Sequence, residues 1–204
     1  MDGHVSINLE DPRFREFTPR PYDKASRALS DEERELIARS YSLTYHETNY
    51  YRLSIDQESG RLVIPVMGPQ EQFRGHILSN LPGATTKPKS LIYKVLDEPF
   101  AAWFWPTAAK REKIVVVEDC ISAMRVGRQY VAVALMGTNL SMENILEILK
   151  YSDNMVLALD KDATQKALHY QHKYKFMCPA MQVAMLEKDL KWLSDAEITE
   201  RVTI

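Results

Sequence analysis

The second half of the chain alternates short apolar runs with polar segments of helical length. The apolar runs are IVVVE, VAVALM, MVLALD and MQVAMLE, which begin at positions 114, 131, 155 and 181. Runs rich in β-branched residues are typical of parallel strands that are buried on both faces. The intervening segments ISAMRVGRQY, MENILEILK and ATQKALHYQHKY are predicted helices. Strands that alternate with helices in this way predict βαβ units and a parallel sheet.

Serine residues mark the predicted starts of three helices. Ser30 is followed by Glu33, and Ser194 is followed by Glu197, so that both pairs have the spacing of a capping box. Ser141 is expected to cap the helix over MENILEILK. The Ser194 helix would be the last element of the chain.

The first half of the sequence predicts a smaller subdomain that contains both helix and strands. The segment up to about Arg27 is rich in proline and arginine, and we expect an extended arm. Residues 51–78 predict short strands, with a hairpin turn at Gly68 and Pro69. We expect NLPGATTKPKSLIYK to form an ordered loop and FAAWFWP a short buried hinge. The predicted fold class is α/β, a parallel sheet flanked by helices with a small N-terminal α+β subdomain, and the predicted segments are 1–50, 51–112, 113–191 and 192–204.

Composition and charge narrow the class of protein. The chain has 204 residues, of which 45% are hydrophobic and 26% charged, as in ordinary globular proteins. Its net charge of −2 excludes a generic polycation, so that phosphate binding would need a local basic patch. The two cysteines cannot build a structural zinc site and suit a reducing compartment. The N-terminal sequence is charged and no apolar run reaches transmembrane length, so we expect a soluble, cytoplasmic protein.

Acidic residues follow two strands of the predicted sheet. Glu118 ends the first strand, Asp160 ends the third, and Asp162 comes two positions later. Ligands of open parallel sheets bind outside the carboxyl ends of the strands. If the backbone remains extended, a spacing of two directs both aspartates to one side. Gathered carboxylates repel one another unless a cation intervenes, and oxygen ligands suit Mg²⁺ or Mn²⁺. The alternative is that the two aspartates only cap the next helix.

The sequence around these acids resembles a known family. IVVVEDCISAMRVG, VALMGT and MVLALDKDATQKA are similar to the Toprim domain of primases, topoisomerases and certain nucleases. The resemblance implies that Glu118 corresponds to the glutamate that follows the first strand of the family's domain. It also implies that Asp160 and Asp162 form the DxD motif of the family. RLVIPVMGPQEQFRGHILSN, KPKSLIY and MLEKDLKWLSDAEI extend the resemblance to roughly residues 50–200, and it is strongest for phage replicative primases. It implies a Toprim domain over 113–191 and a primase-like subdomain over 51–112.

Three positions differ from the primase pattern. Primases usually have glycine after the glutamate and a second acid four residues after it, where this chain has Asp119 and Ser122. We therefore expect Asp119 to act as a further metal ligand in place of the missing carboxylate. Asp189 matches the acid that follows the fourth strand, whereas Lys191 stands where a second acid is often found.

Basic residues lie upstream of the acidic strand. The resemblance implies that they form a ridge that binds the phosphates of template or nucleotide, and the alternative is a solvated loop. These residues are Arg74, Lys87, Lys89 and Lys94.

The resemblance implies a primase-like nucleotidyltransferase of phage-type DNA replication. It would use Mg²⁺ or Mn²⁺ to join NTPs on a single-stranded DNA template, with Glu118 as general base or water-mediated ligand. The alternatives are a Toprim nuclease and a non-catalytic nucleic-acid-binding module. We also expect a separate helicase and a zinc-binding replication protein as partners, docked through residues 1–27 or 194–204, in the host cytoplasm if the gene belongs to a phage.

Overall fold

The computed structural model describes residues 18–96, 99–105 and 113–203 of the chain. The strands of this part form two five-stranded sheets, and six α-helices accompany them. Within the same residues, no helix is both long enough and apolar enough to cross a bilayer. Most of the N-terminal segment that we predict to be an arm lies outside the described residues.

The first sheet is antiparallel throughout. Its strand order is β1-β2-β3-β4-β5, and each strand pairs with the next one along the chain. The predicted hairpin at Gly68 and Pro69 is confirmed, because β3 and β4 pair on either side of it. The strands are β1 Ser26–Ala28, β2 Ser54–Asp56, β3 Leu62–Met67, β4 Phe73–Ser79 and β5 Ser90–Lys94.

Two helices lie between β1 and β2. Helix α1 spans Asp31–Tyr41 and begins with the predicted capping box of Ser30 and Glu33. Helix α2 spans Tyr45–Tyr50 and begins with a second capping box, which the sequence analysis did not identify. The signal was present, since Thr44 is followed by Glu47 three residues later.

Two segments differ from the sequence-based prediction. The predicted loop ends in β5, which pairs with β4 from Ser79 opposite Ser90 to Gly75 opposite Lys94. Pro88 does not prevent this strand, because it lies before the paired residues. The predicted hinge contains strand β6, Ala102–Phe104, which pairs antiparallel with a strand of the second sheet. Strand β6 depends on a partner that is distant in the sequence, since Trp103 lies opposite Val133 of β8, and local pattern does not identify such a partner. Strand β5 pairs with its neighbour β4, and the loop prediction fails there because Pro82, Gly83 and Pro88 precede the paired residues and do not interrupt them.

The second sheet confirms the predicted parallel arrangement. Its order is β10-β9-β7-β8-β6, in which β7 to β10 run parallel and β6 is an antiparallel edge strand. The remaining strands are β7 Ile114–Val117, β8 Val131–Ala134, β9 Met155–Leu157 and β10 Gln182–Val183. The helices are α3 Cys120–Val126, α4 Met142–Leu149, α5 Thr164–Tyr174 and α6 Asp195–Val202. The predicted caps at Ser141 and Ser194 are both present.

Strand β7 is buried on both faces, as its unbroken apolar sequence predicts. Val115 and Val117 pack in a core that also contains Ile64 and Ile77 of the first sheet. Ile114 and Val116 pack in a separate core on the opposite face of the second sheet, together with residues of α4 and α5. One face of the parallel sheet therefore packs against the antiparallel sheet, and the other face packs against helices.

A buried ion pair links the two sheets. Arg74 on β4 is 1% exposed and pairs with the carboxylate of Glu147 on α4. The same guanidinium donates hydrogen bonds to the carbonyl oxygens of Pro99 and Ala101, at 2.8 and 3.2 Å. Trp103 Nε1 donates to Glu147 Oε2 at 3.2 Å. The charge of Arg74 is therefore satisfied within the protein, at the junction of the two sheets.

We predict that removing one charge of this pair destabilises the fold strongly. Glu147→Gln keeps the shape of the side chain but leaves the buried guanidinium of Arg74 without its countercharge, which costs about 3–5 kcal/mol in comparable pairs. Urea unfolding measures the change in the free energy of unfolding. The matched control is Glu35→Gln, which breaks the exposed Glu35–Arg39 pair on α1 and should change stability by about 0.5 kcal/mol or less. Equal effects of the two substitutions would contradict the structural role of Arg74.

Candidate active site at the carboxyl edge of the parallel sheet

Glu118 lies directly after β7, at the edge of the sheet where the parallel strands end. Its Oε1 accepts a hydrogen bond from the backbone N–H of Asp160, at 3.0 Å. The pairing of β7 with β9 sets Val116 opposite Leu157, so that Glu118 and Asp160 emerge side by side. The structure therefore brings the first and third strand ends together through a direct contact.

Asp160 is the point at which the chain stops being extended. It precedes a 3-10 turn over Lys161–Ala163, yet its side chain accepts no capping hydrogen bond. The interpretation of Asp160 as a helix cap is therefore wrong, and its carboxyl group remains part of the acidic cluster. Asp162 lies within the turn and is exposed. The backbone is not extended between the two aspartates, so the spacing argument for a shared direction does not apply.

Asp119 is committed to contacts within the protein. One carboxylate oxygen accepts the N–H of Ser122 at 2.9 Å and thereby caps α3. The other oxygen accepts hydrogen bonds from Lys191 Nζ at 3.0 Å and from the Ser122 hydroxyl at 3.3 Å. The prediction that Asp119 serves as a metal ligand is not supported by this arrangement, because both of its oxygens already have donors.

Lys191 enters the cluster from the C-terminal segment. Its ammonium nitrogen lies 3.0 Å from Asp119, 3.0 Å from Asp189 and 3.9 Å from Asp160, measured to one carboxylate oxygen of each. The side chain is buried, since Lys191 is only 9% exposed. A residue that interrupts the acidic pattern of the sequence is therefore the countercharge of the cluster.

The electrostatics of the cluster show crowding of negative charge. Burial raises the pKa of Asp160 to about 7; the charge of Lys191 lowers it, but Asp189, Glu118 and Asp119 raise it. Burial also raises the pKa of Glu118, where the hydrogen bond from Asp160 opposes the shift and nearby carboxylates add to it. Among these carboxylates, Asp162 has the largest effect on the pKa of Glu118. It therefore lies within electrostatic reach of Glu118 even though it is exposed. Such a cluster attracts cations.

A cavity of about 310 Å³ opens in front of these acids. Glu118, Asp160 and Lys191 line one side. Lys89 and Ile92 from the end of the first sheet line the same cavity. The candidate site therefore lies between the two sheets, with acidic side chains on the parallel sheet and a lysine beside the antiparallel one.

The four predicted basic residues do not form one ridge. Arg74 is buried and pairs with Glu147, so its assignment to phosphate binding is wrong. Lys89 lines the cavity, and Lys87 is exposed in the same loop. Lys94 lies at the other end of β5 from Lys89 and does not line the cavity.

The turn after β8 contacts the backbone of Glu118. Met136 and Gly137 have φ of 58° and 140°, and a glycine adopts the latter without steric cost. The N–H of Gly137 donates to the carbonyl oxygen of Glu118 at 3.0 Å, which fixes the backbone of the acid. Cys120 is buried beside Met136.

Arg125 is a structural determinant of the site that the sequence analysis missed. It is buried in α3 and donates to the carbonyl oxygens of Lys191 and Leu193, at 3.4 and 2.8 Å. It also pairs with Asp195 at the start of α6, at 2.7 Å. These contacts hold the segment that carries Asp189 and Lys191 against α3. No local signal distinguishes Arg125 from an ordinary helical arginine.

The donor set of the site fits a divalent cation only in part. All of its ligating atoms are oxygens, which suits Mg²⁺ or Mn²⁺. Within the described residues, however, no group of three acidic, histidine or cysteine side chains forms a ready cage for a metal ion. Magnesium commonly uses one or two carboxylates together with water and substrate phosphates. Glu118, Asp160 and Asp162 are the side chains that could hold a cation in this manner.

Comparison with protein families agrees with this geometry. Residues 115–190 match the family described as Toprim-like. This part of the chain is a Toprim-like domain. It contains Glu118, Asp160, Asp162 and Asp189. No curated protein sequence matches the chain significantly.

Solved structures of primases share the fold of the chain. The RNA polymerase domain of Mycobacterium tuberculosis primase DnaG is 15% identical with a TM-score of 0.67, over 85% of this chain and 76% of that one. The primase fragment of the bacteriophage T7 primase-helicase is 16% identical with a TM-score of 0.60, over 91% and 82%. A DnaG primase catalytic domain bound to single-stranded DNA is 17% identical with a TM-score of 0.55, over 81% and 61%. The chain thus has the fold of primase catalytic cores.

We predict that the stability of the protein reports the raised pKa of Asp160. The folded protein holds this proton up to about pH 7, whereas the free carboxyl group loses it near pH 3.8. Ionisation of Asp160 therefore destabilises the fold as the pH rises through this interval. In buffer with a chelator, Asp160→Asn should raise the melting temperature relative to wild type above pH 7, and the gain should disappear toward pH 4.

The matched control for this experiment is Asp23→Asn, which changes an exposed aspartate just before strand β1 of the first sheet. Its effect on the melting temperature should be small at every pH. A gain from Asp160→Asn that is the same at both ends of the pH range would contradict the predicted electrostatic penalty.

Proposed function

We propose that the chain is a primase-like, metal-dependent nucleotidyltransferase that synthesises RNA primers on single-stranded DNA. The observation that carries the proposal is the cavity between the two sheets. It combines Glu118 and Asp160 of the Toprim-like domain with Lys89 beside the antiparallel sheet. The same two-sheet fold occurs in primase cores, one of which is bound to single-stranded DNA.

The acidic side of the cavity suits phosphoryl transfer. A divalent cation, when bound, would neutralise and orient the phosphates of an incoming nucleotide. Glu118 is oriented by the N–H of Asp160, and its pKa is raised by burial, which suits a general base. In this role it would accept the proton of the primer 3′-hydroxyl as that oxygen attacks the α-phosphorus and pyrophosphate leaves. Asp160 and Asp162 would bind the cation.

The other side of the cavity suits a polyanion. Lys89 is exposed and lies at the start of β5, where a template or nucleotide phosphate could approach the acids without entering the core. Lys87 in the same loop could add a second contact. Phosphate contacts of this kind position a strand and do not select its sequence.

A second candidate function is a non-catalytic nucleic-acid-binding module. The position of Lys191 favours it, because an ammonium group already neutralises part of the acidic cluster. If the protein's own ammonium and N–H groups neutralise and hydrogen-bond all of these carboxylates, the site needs no bound cation. Measurement of metal binding separates the two candidates.

Partner proteins would strengthen the weak binding of the template. With a net charge of −2, the hold of the chain on a template should be weak and sensitive to salt. A separate helicase and a zinc-binding replication protein would raise the local concentration of template by tethering. The amphipathic helix α6 and the segment before Ser30 are the surfaces that we propose for docking.

We predict metal-dependent extension of a primer by this chain. With single-stranded DNA, labelled NTPs and Mn²⁺, wild type should produce short RNA products, and Asp160→Asn with Asp162→Asn should abolish them together with Mn²⁺ binding in calorimetry. The loss follows because both proposed ligands are removed while the fold is retained. Cleavage of the DNA would instead indicate a Toprim nuclease. Neither extension nor cleavage, with DNA binding retained, would indicate the non-catalytic module.

We predict that Lys89 contacts phosphate. Lys89→Ala should weaken binding of single-stranded DNA equally for different sequences and should reduce the slope of log K against log salt by about one unit. Fluorescence anisotropy at several salt concentrations measures this slope. The matched control is Lys150→Ala, which removes an exposed lysine after α4, at the opposite end of the parallel sheet. An unchanged slope for Lys89→Ala would assign this residue to an ordinary solvated loop.

A further inference from the structure

Lys191 occupies a position that three carboxylates define. Its ammonium nitrogen lies 3.0, 3.0 and 3.9 Å from oxygens of Asp119, Asp189 and Asp160. Lysine is almost never buried to this degree unless its charge is paired. The ammonium group therefore takes the place in which a small cation would contact the same oxygens.

The backbone on either side of Lys191 is held in place by the rest of the protein. Leu190 and Leu193 are buried, and they anchor the segment in the core next to α3. Arg125 holds the carbonyl oxygens of Lys191 and Leu193. The backbone of Lys191 is therefore positioned by packing and hydrogen bonds that do not involve its ammonium group.

The lysine is charged in this environment. A lysine is ordinarily protonated at neutral pH, and the carboxylates of Asp119 and Asp189, each 3.0 Å from the nitrogen, stabilise that charge. Two of the three carboxylates are each within hydrogen-bonding distance of the nitrogen. The ammonium group thus remains a permanent positive charge beside Asp160 at neutral pH.

We infer that Lys191 is a built-in cation of the proposed active site, and that it restricts divalent-cation binding to the side of Asp160 that faces Glu118 and Asp162. The inference rests on the proposed function, which requires a divalent cation. A fixed positive charge repels a second cation near the same carboxylates, and it already uses Asp119 and Asp189. Lys191 therefore lowers both the number of divalent cations that the site binds and its affinity for them.

Titration with Mn²⁺ tests the inference on the whole chain. Lys191→Met removes the charge and keeps a side chain of similar length. Calorimetry or the resonance signal of free Mn²⁺ should show either one additional bound ion or an affinity at least tenfold higher than in wild type. Unchanged stoichiometry and affinity would overturn the inference.

The matched control is Lys188→Met, which removes an exposed lysine three positions earlier in the chain. It should leave the number of bound Mn²⁺ ions and their affinity close to those of wild type. A gain as large as that of Lys191→Met would mean that any lost positive charge strengthens binding, and the specific role of Lys191 would be overturned.

Thermal unfolding provides a second measurement in case the variant is unstable. Without Lys191, the three carboxylates lose their shared countercharge, so Lys191→Met should melt below wild type in chelator. Because Mn²⁺ can take the vacated place, it should raise the melting temperature of the variant more than that of wild type. A variant that gains no more than wild type, or that stays unfolded in saturating Mn²⁺, would overturn the inference.

Failure of the inference and failure of the proposed function give different results. If wild type makes primers and both proteins bind Mn²⁺ equally, the proposed function stands and the inference fails. If wild type binds Mn²⁺ but makes no primers, and Lys191→Met binds an additional ion or binds at least tenfold more tightly, the inference stands and the proposed function fails.

Discussion

Parallel pairing of β7 with β9 places the two strand ends of the site next to each other. Val116 lies opposite Leu157, and the chain reaches Glu118 two residues after the former and Asp160 three residues after the latter. The hydrogen bond from the N–H of Asp160 to the Glu118 carboxylate then joins the two strand ends directly. Every other feature of the site is arranged around this pair: the turn at Gly137 supports Glu118, and the C-terminal segment brings a countercharge to Asp160.

Charge balance explains why the C-terminal segment is held so firmly. The acids of the site lie close enough that Asp119 and Asp189 raise the pKa of both Glu118 and Asp160, while Glu118 raises that of Asp160 and Asp162 raises that of Glu118. Carboxylates at such distances are costly to ionise together. Lys191 offsets part of this cost, and its segment is held in place by Arg125 together with the buried side chains of Leu190 and Leu193. A buried arginine in α3 thus helps to position the countercharge of an acid at the end of β9.

The junction of the two sheets gives the cavity its mixed character. Lys89 directly precedes strand β5 of the antiparallel sheet and the acids follow strands of the parallel one, so neither sheet alone forms the site. The Arg74–Glu147 pair and the core shared by Ile64, Ile77 and Val115 hold the two sheets together. The same arrangement of sheets is found in the primase cores that the chain resembles in fold. A substrate that bridges the cavity would contact both sheets at once.

The sequence by itself predicted the elements whose signals are local. The parallel strands follow from unbroken apolar runs, the helix starts follow from capping boxes, and the candidate acids follow from their positions at strand ends. Strand β6 was missed because it is defined by pairing with β8, far away in the sequence, and β5 was missed because the prolines before it suggest a loop. Tertiary structure alone decided which charges meet. Arg74 reads as a surface cation in the sequence but is buried against Glu147, and Lys191 reads as a missing acid but serves as the countercharge of three acids. The physical reason is that a charged side chain takes its role from the partners that folding brings within a few ångströms. The carboxylate partner of Arg74 lies 73 positions away along the chain, and Asp119, a partner of Lys191, lies 72 positions away.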